Sequence, residues 1–274
     1  MIQIKTPAVC VFESALYRTT STVIQTPDLI LVVDPTWLPN EVAGIQHFVA
    51  AVRGERPIYL LFTHSDYDHI IAYRAFSGAT VIASQALIDN PEQESNIQQI
   101  LKFDDEYYIR RPYPIEYPEV DVIIQQDEQI LKVGSTTFTF YLAPGHNSDG
   151  IFTLVEWNNQ CIWIVGDYLS NIEFPYIYHS SYEYEQTLAK AEQIVNQYLI
   201  YILISGHGDA TTDQAEMRMR IQDAYTYIHA LREALQAGKE FPTQQLFQRY
   251  GFPGIMQNYH DGNITILKGE LNIL

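Results

Sequence analysis

The sequence predicts an α/β protein, a four-layer αβ/βα sandwich in which two mixed β-sheets pack face to face with helices outside. Short apolar strand-like runs occur in groups, helical patterns separate the groups, and the order strands, helix, strands, strands, helix fits that architecture. Hydrophobic residues make up 47% of the 274 positions, which is ample for a packed core. No linker or internal repeat interrupts the chain, so we expect one domain over residues 1–274.

In the N-terminal half, turns separate short apolar runs, and Arg56-Pro57 introduces the run that precedes the main motif. Asn90-Pro91 has the pattern of a helix start, with an N-cap residue and Pro at the first helical position. The resulting predictions are strands at residues 8–12, 21–25, 29–33, 58–62 and 80–83, and helices at 40–52, 70–76 and 90–103.

Two hairpin signals mark the C-terminal half. Gly134-Ser135 and Asn158-Asn159 each join two segments of alternating or continuous apolar residues. Helical patterns follow the second hairpin. The resulting predictions are strands at residues 129–133, 136–142, 151–157, 160–165 and 201–205, and helices at 183–197 and 212–237.

The most informative segment is residues 63–70, Thr-His-Ser-Asp-Tyr-Asp-His-Ile, which directly follows the predicted strand at 58–62. It holds four potential metal ligands, namely His64, Asp66, Asp68 and His69. Imidazole and carboxylate together suit zinc, iron or manganese. A calcium loop would need alternate oxygen ligands, a central Gly and a distal Glu, which this segment does not have. Helix capping accounts for an Asp or for Ser65, but it leaves both histidines unexplained.

Three later segments repeat one pattern, an apolar strand that ends in a small-residue turn carrying His or Asp. The turns are Gly145-His146, Gly166-Asp167 and Gly206-His207. Glycine before each candidate ligand allows a tight turn and a close approach of the backbone. A metal site built from several strands requires ligands at strand ends along one rim of a core.

The order and spacing of these residues resemble the metallo-β-lactamase superfamily, whose signature is His-x-His-x-Asp-His followed by a His, an Asp and a His. The resemblance extends roughly from Val23 to His207. It implies two divalent ions in two sites that share a bridging carboxylate. The implied ligands are His64, Asp66 and His146 for one ion, Asp68, His69 and His207 for the other, and Asp167 between them.

Asp66 departs from the pattern, because most of the superfamily has His there. A carboxylate is a harder, anionic ligand that favours iron or manganese more than imidazole does, and it lowers the charge of the cluster. The flavodiiron branch carries Glu at this position. Because Asp is one methylene shorter, Asp66 either coordinates or leaves a weaker first site. Zinc is the first expectation, with iron or manganese as alternatives.

The resemblance implies a hydrolase that uses metal-activated water on a small ester, lactone, thioester or phosphodiester. Asp68 and Asp167 would orient the water and accept its proton, and no Gly-x-Ser-x-Gly elbow offers a serine nucleophile. One alternative is a diiron enzyme that reduces oxygen or nitric oxide. The sequence contains no flavin module, so a partner would have to supply the electrons. The other alternative is a non-catalytic metal-binding protein.

Two segments rich in aromatic residues are candidates for the substrate site. Residues 104–126 form either a lid or binding wall, or a surface excursion packed by its own side chains. In residues 168–184, Tyr168, Tyr176 and His179 are candidate substrate contacts, with ordinary packing as the alternative. His260 is a further candidate in the C-terminal segment.

The formal charge of −17, from 16 basic and 33 acidic residues, argues against nucleic acid as a partner. It argues mildly against a strongly anionic substrate, although two dications would reverse the potential locally. The expected partner is a small-molecule substrate. Cys10 and Cys161 lie in apolar runs and are expected to be buried and unpaired. With no signal-peptide pattern and no run long enough to span a membrane, we expect a cytoplasmic protein.

Overall fold

The computed structural model describes residues 1–273. Its β-strands are β1 (Ile2–Lys5), β2 (Val9–Glu13), β3 (Thr20–Gln25), β4 (Ile30–Val33), β5 (Ile58–Leu61), β6 (Thr80–Ser84), β7 (Val122–Ile124), β8 (Gln129–Val133), β9 (Thr136–Leu142), β10 (Ile151–Trp157), β11 (Gln160–Ile164) and β12 (Ile202–Ile204). Its α-helices are α1 (Pro39–Arg53), α2 (Tyr67–Ile70), α3 (Gln85–Ile88), α4 (Gln93–Glu106), α5 (Ser181–Gln197), α6 (Gln214–Gln236), α7 (Thr243–Tyr250) and α8 (Pro253–Leu271), with a 3₁₀ helix at Tyr73–Phe76.

The strands form two mixed sheets. The first sheet has seven strands in the order β1 to β7, antiparallel from β1 to β4 and parallel from β4 to β7. The second has five strands in the order β12, β11, β10, β9, β8, and only its β11–β12 pair is parallel among the strands described. This topology confirms the predicted fold class of two mixed sheets.

Alternate residues of each strand enter different layers. In β4, Leu31 and Val33 pack between the sheets, whereas Ile30 and Val32 pack against α1 on the outside. In β11, Ile162 faces the other sheet and Trp163 faces α5 and α6. Helices therefore cover both outer surfaces, and the four layers are those the sequence predicted.

Backbone hydrogen bonds join the two sheets at one edge, beside the ends of the ligand-bearing strands. The Ile151 N–H at the start of β10 donates to the Thr63 carbonyl after β5 at 2.9 Å. The Thr20 N–H of β3 donates to the Gly206 carbonyl after β12 at 2.6 Å. These bonds hold the loops from both sheets against each other, so that residues far apart in sequence meet there.

Several boundaries differ from the predictions. The helix predicted at 70–76 is instead the short α2, which begins at Tyr67, followed by the 3₁₀ helix. Residues 104–126 are not a continuous loop, because α4 extends to Glu106 and β7 forms the edge of the first sheet. In between, Tyr113 and Tyr117 pack on the outer layer of that sheet. The prediction did not include β1, β7, α3, α7 or α8.

Cys10 and Cys161 are buried and unpaired, as predicted. Across residues 1–273, the helices are too short or too polar to cross a membrane.

Candidate metal centre

The predicted ligands lie just beyond the ends of four strands. His64 follows β5, His146 follows β9, Asp167 follows β11 and His207 follows β12. The remaining ligands, Asp66, Asp68 and His69, lie at or in α2. This helix begins where the N–H groups of His69 and Ile70 bond to the Asp66 carbonyl at 2.9 and 3.3 Å. Ile70 is buried against the outer face of the first sheet, which anchors the helix beside the site.

The structure brings together the same two ligand sets that the resemblance implies. One group able to hold a metal ion consists of His64, Asp66, His146 and Asp167, and the other of Asp68, His69 and His207. Within each group, one ligand atom per residue lies within 4.8 Å of all the others.

Distances within the first group fit a tetrahedral ion. Asp66 Oδ2 lies 3.1 Å from His146 Nε2 and 3.6 Å from His64 Nε2. Asp167 Oδ2 lies 3.5 Å from His146 Nε2 and 3.8 Å from His64 Nε2. Zinc bonds of about 2.0–2.1 Å at tetrahedral angles put neighbouring ligand atoms about 3.4 Å apart. The four side chains are therefore spaced as a shared ion requires.

The second group has a similar spacing and reaches the first through Asp167. Asp68 Oδ2 lies 3.6 Å from His207 Nε2 and 3.8 Å from His69 Nε2. Asp167 Oδ1 lies 3.1 Å from His69 Nε2, and its Oδ2 lies 3.2 Å from His207 Nε2. Because its two oxygens face ligands of both groups, Asp167 occupies the position of a bridge.

Three polar atoms at the centre are buried and lack a hydrogen-bond partner anywhere in residues 1–273. They are His64 Nε2, His69 Nε2 and Asp167 Oδ1. Leaving such atoms unpaired in a protein interior costs roughly 1–3 kcal/mol each. A metal ion would accept the lone pairs of all three, so the residues present fit bound cations.

Each of the four histidines uses Nδ1 for a hydrogen bond and leaves Nε2 facing the centre. His69 Nδ1 bonds to Asp34 Oδ2 at 2.9 Å, and His64 Nδ1 to Thr63 Oγ1 at 2.9 Å. Backbone carbonyls serve the other two: His146 Nδ1 donates to Tyr176 at 2.6 Å and His207 Nδ1 to Tyr17 at 2.9 Å. Because these partners accept the Nδ1 proton, each Nε2 keeps a lone pair for a metal.

Asp66 reaches the first ligand group despite its short side chain. Its Oδ1 accepts a hydrogen bond from Asn147 Nδ2 at 3.1 Å, which turns Oδ2 toward His64 and His146. Counting Asp167 with both groups, each ion would have two imidazoles and two carboxylates. This oxygen-rich donor set suits zinc, iron or manganese.

Carboxylates and imidazoles at the centre shift each other's pKa values in opposite directions. Burial opposes ionisation of Asp66, but His64 and His146 hold its pKa well below the usual range. Burial likewise opposes protonation of the histidines, yet Asp66 raises the pKa of His146 to about 9 and Asp167 raises that of His207 to about 10. Without a metal, protons on His146 and His207 therefore offset part of the carboxylate charge. Metal binding must displace those protons.

The glycines before the ligands have the predicted physical roles. Gly145 and Gly166 adopt positive φ angles of 129° and 52°, which L-residues rarely tolerate. Gly206 allows close approach instead, since a Cβ there would lie 2.1 Å from Asp167 Oδ1 and 2.9 Å from His69 Cε1.

A cavity of about 300 Å³, here named the central cavity, opens onto the ligands Asp66, Asp68, His146, Asp167 and His207. Its other walls include Tyr17, Glu173, Phe174, Tyr176, Tyr178 and Tyr259. Next to it, the side cavity of about 290 Å³ shares Asp66, Tyr67, Gln99 and Tyr178 with it and has mainly uncharged polar walls.

The four predicted substrate residues are placed differently from one another. Tyr176 lines the central cavity, and His179 lines the side cavity. Tyr168 does not border either one, because its buried hydroxyl accepts a bond from the His146 N–H at 3.0 Å and donates to the Pro144 carbonyl at 2.8 Å. Tyr168 supports the turn that carries His146, so its role is packing, the alternative to a substrate contact.

His260 is also absent from the walls of both cavities in the described residues. Its Nδ1 lies 3.0 Å from the Tyr227 hydroxyl, and it borders a separate surface cavity between α6 and α8. Because successive helical residues point about 100° apart, Tyr259 faces the metal centre and His260 faces away.

Sequence reasoning did not identify several residues that the structure places at or behind the site. Asp34 and Asn147 orient ligands, while Glu173, Tyr17 and Tyr259 line the central cavity. Asp34 could have been predicted from the sequence, since it is an acidic residue directly after a buried strand, as Asp167 follows β11. The other positions depend on three-dimensional packing.

A family model described as the metallo-beta-lactamase superfamily matches residues 16–207. No curated protein matches the sequence. A Cronobacter sakazakii (Enterobacter sakazakii) metallo-beta-lactamase HARLDQ motif mutant is similar in structure, with 19% identity, a TM-score of 0.61 and coverage of 85% of this chain and 97% of its own. A metallo-beta-lactamase family protein from Thermus thermophilus has 16% identity, a TM-score of 0.65 and coverage of 97% of this chain and 94% of its own.

A double mutant of the sec-alkyl sulfatase PisA1 has 12% identity and a TM-score of 0.68, and the match covers 99% of this chain and 50% of that one. At these identities the likeness to solved structures is one of fold.

Proposed function

The chain belongs to the metallo-β-lactamase superfamily, and from this membership we propose that it is a binuclear metallo-hydrolase that uses activated water on a small ester, lactone, thioester or phosphodiester. The observation that carries the proposal is the meeting of two ligand groups at Asp167, beside a cavity. The cavity volume of about 300 Å³ is at the lower end for ligand sites, which favours a small substrate.

The donor atoms support a pair of divalent ions, with zinc as the first candidate and iron or manganese as alternatives. Asp66, Asp68 and Asp167 would offset three of the four positive charges. When bound, the two ions would lower the pKa of water toward neutrality and polarise a carbonyl or phosphoryl oxygen of the substrate.

The side chains around the ions have separate tasks. Asp68 borders the central cavity and is the carboxylate positioned to take a proton from the attacking water. Asp167 holds the two ligand groups at a fixed separation. The Nδ1 hydrogen bonds of the histidines fix their rings, so that the centre is organised before substrate binds.

Elemental analysis of purified protein, followed by assays against esters, lactones, thioesters and phosphodiesters, tests the proposal. We expect about two zinc ions per chain and hydrolysis of at least one class. Asp68→Ala and His69→Ala should each lower the rate at least about 100-fold. His47→Ala is the matched control, since His47 is an exposed residue of α1.

Iron with a visible absorption band and no hydrolysis would support the diiron redox alternative instead. At most one ion per chain with no activity would indicate a non-catalytic metal-binding protein. Hydrolysis that survives both Asp68→Ala and His69→Ala would also contradict the proposal.

A further inference from the structure

The central cavity contains one carboxylate that neither ligand group uses. Glu173 lines this cavity together with Asp68, Asp167 and His207. Its backbone N–H bonds to Ser170 Oγ at 3.2 Å, whereas its side chain makes no hydrogen bond or ion pair within residues 1–273. Arg220, which lies below it, is engaged by Glu216 and the Leu169 carbonyl. Glu173 is therefore the one carboxylate among the described walls of this cavity that has neither a ligand role nor an Arg or Lys partner.

The basic side chains among the described walls of the central cavity are His146 and His207, which both belong to the ligand groups. Among the described residues that line it, none is Lys or Arg, and the same holds for the side cavity. A carboxylate or phosphate on a substrate is normally held by Arg, Lys or a helix N-terminus. An anionic substrate group would find neither Arg nor Lys here, so that only the bound ions would attract it, and it would share the cavity with Glu173.

Aromatic rings form another part of the wall of the central cavity. The rings of Tyr176 and Tyr259 stack with centroids 4.1 Å apart and an interplanar angle of 22°. Tyr178 extends the wall, with its centroid 4.2 Å from that of Tyr176. Glu173 and the three Tyr side chains line the same cavity, so the carboxylate and the rings face one shared space. Aromatic faces with an adjacent carboxylate are a binding environment for alkylammonium groups.

We propose that the central cavity selects ester substrates that carry an alkylammonium group, with Glu173 as the countercharge and the Tyr176–Tyr259 stack as the contact surface. Together with the three Asp ligands, Glu173 would offset all four charges of the two ions, so the loaded cavity would carry no net positive charge to repel a cation, and Glu173 is the one carboxylate of its described walls outside the ligand groups. The formal charge of −17 would also steer cations toward the protein. This substrate class rests on the proposed hydrolase function, whereas the cation site itself can be tested by binding.

Binding of phenyltrimethylammonium to the zinc-loaded protein is the first measurement, by isothermal titration calorimetry, with neutral benzyl alcohol for comparison. We expect Glu173→Gln to weaken phenyltrimethylammonium binding about tenfold and to leave benzyl alcohol unaffected. Glu92→Gln, in the wall of the side cavity, is the matched control and should change neither affinity. Equal metal content in all three proteins shows that the centre is intact.

The second measurement compares acetylcholine with 3,3-dimethylbutyl acetate, an ester of the same shape without the charge. We expect the unmodified protein to have the higher kcat/KM for acetylcholine, and Glu173→Gln to reduce that preference about tenfold, chiefly through KM. Equal loss for both esters would overturn the proposal, because Glu173 would then act in the hydrolysis of either ester and not in recognition of the cation. Binding of phenyltrimethylammonium that is absent, or indifferent to Glu173→Gln, would also overturn it.

The two proposals fail in different ways. If phenyltrimethylammonium binding depends on Glu173 but no ester is hydrolysed, the cation site stands and the hydrolase function fails. If neutral esters are hydrolysed and the cation is not bound, the hydrolase function stands and the substrate class is wrong.

Discussion

Asp34 accepts the Nδ1 proton of His69 across a distance of 2.9 Å, behind the metal centre. The same carboxylate accepts the N–H of Thr63 at 2.9 Å and its hydroxyl at 2.6 Å. Thr63 in turn holds Nδ1 of His64. One buried carboxylate at the end of β4 therefore orients a ligand in each of the two groups, His69 directly and His64 through Thr63.

Asp34→Asn should weaken metal binding about 10–100-fold, because an amide can donate toward His69 and favour the wrong tautomer. Zinc affinity measured by chelator competition checks this. Asp28→Asn is the control: Asp28 likewise accepts three hydrogen bonds, from Ser135 and Thr136, but it precedes β4, at the other end of the strand from Asp34. Equal zinc affinity in Asp34→Asn and the parent would contradict the role given to Asp34.

Gly206→Ala should abolish tight binding of the ion in the second group (Asp68, His69 and His207). The added methyl group would lie 2.1 Å from Asp167 Oδ1 and force the Asp167 side chain to move. Metal content after dialysis and hydrolysis rate are the readouts, with a rate loss of about 100-fold or more. Gly44→Ala offers a matched control in α1, where a methyl group meets nothing within 4 Å. That variant should keep its metals and gain up to about 1 kcal/mol in stability.

Asp66→Ala should reduce the zinc stoichiometry from about two ions per chain to about one, since it removes one ligand of the first group and none of the second. Mass spectrometry of the native protein measures the stoichiometry directly. Asn147→Ala removes only the hydrogen bond to Asp66 Oδ1. This variant should keep both ions but bind the ion of the first group more weakly. Two tightly held ions in Asp66→Ala would show that Asp66 does not coordinate.

Zinc binding near neutral pH should release about three protons, from His69, His146 and His207. Despite burial, neighbouring carboxylates raise the pKa of His146 to about 9 and of His207 to about 10, and they raise that of His69 well above its usual value. Apparent zinc affinity should therefore rise with pH until these values are passed. Calorimetry in buffers of different ionisation enthalpy counts the protons, and a count of zero would refute the assigned charge state.

The same pKa shifts make the metal-free protein less stable as pH rises, whereas they make zinc affinity increase with pH. A histidine whose pKa is raised on folding stabilises the folded state below its unfolded value of 6.5, and this contribution is lost as pH rises through about 9 to 10. Metal-free protein should therefore lose stability as pH rises from about 6.5 to about 9–10, while zinc-loaded protein does not.

Glu173→Gln should stabilise the metal-free protein above about pH 6 by roughly 1–2 kcal/mol. Burial raises the pKa of Glu173 to about 6 from 4.5, with His207 opposing and Asp167 adding to the shift. Ionising this carboxyl thus costs the folded state stability as pH rises from about 4.5 to about 6. Urea unfolding across that range measures the difference, which should vanish at the acidic end; a constant difference at every pH would contradict this origin.

The sequence predicted most of the fold because strand and hairpin signals are local. The bounds of β8, β9 and β10 match the predicted ones, since alternating apolar residues and a two-residue turn fix both register and ends. The short edge strands β1 and β7 were missed because their pairing partners, rather than their own composition, make them strands.

The candidate ligands were identified because each has a distinctive residue type at the end of a strand. The walls of the cavity were not, because Tyr17, Glu173 and Tyr259 come from a β-turn, a loop and α8, which meet only in the folded chain. The sequence analysis chose His260, whereas the neighbouring Tyr259 is the residue that lines the cavity. Because α8 was not predicted, the sequence could not indicate which side of this helix faces the site.

His207 and His146 donate their Nδ1 protons to the main-chain carbonyls of Tyr17 and Tyr176, so the parts that orient the ligands are separate from the rings that would contact a substrate. Every amino acid has a main-chain carbonyl, so either ring can be exchanged while the imidazole it holds keeps its partner. Evolution or an engineer could therefore reshape this wall for new substrates without rebuilding the reactive centre, one route by which a single scaffold serves many reactions.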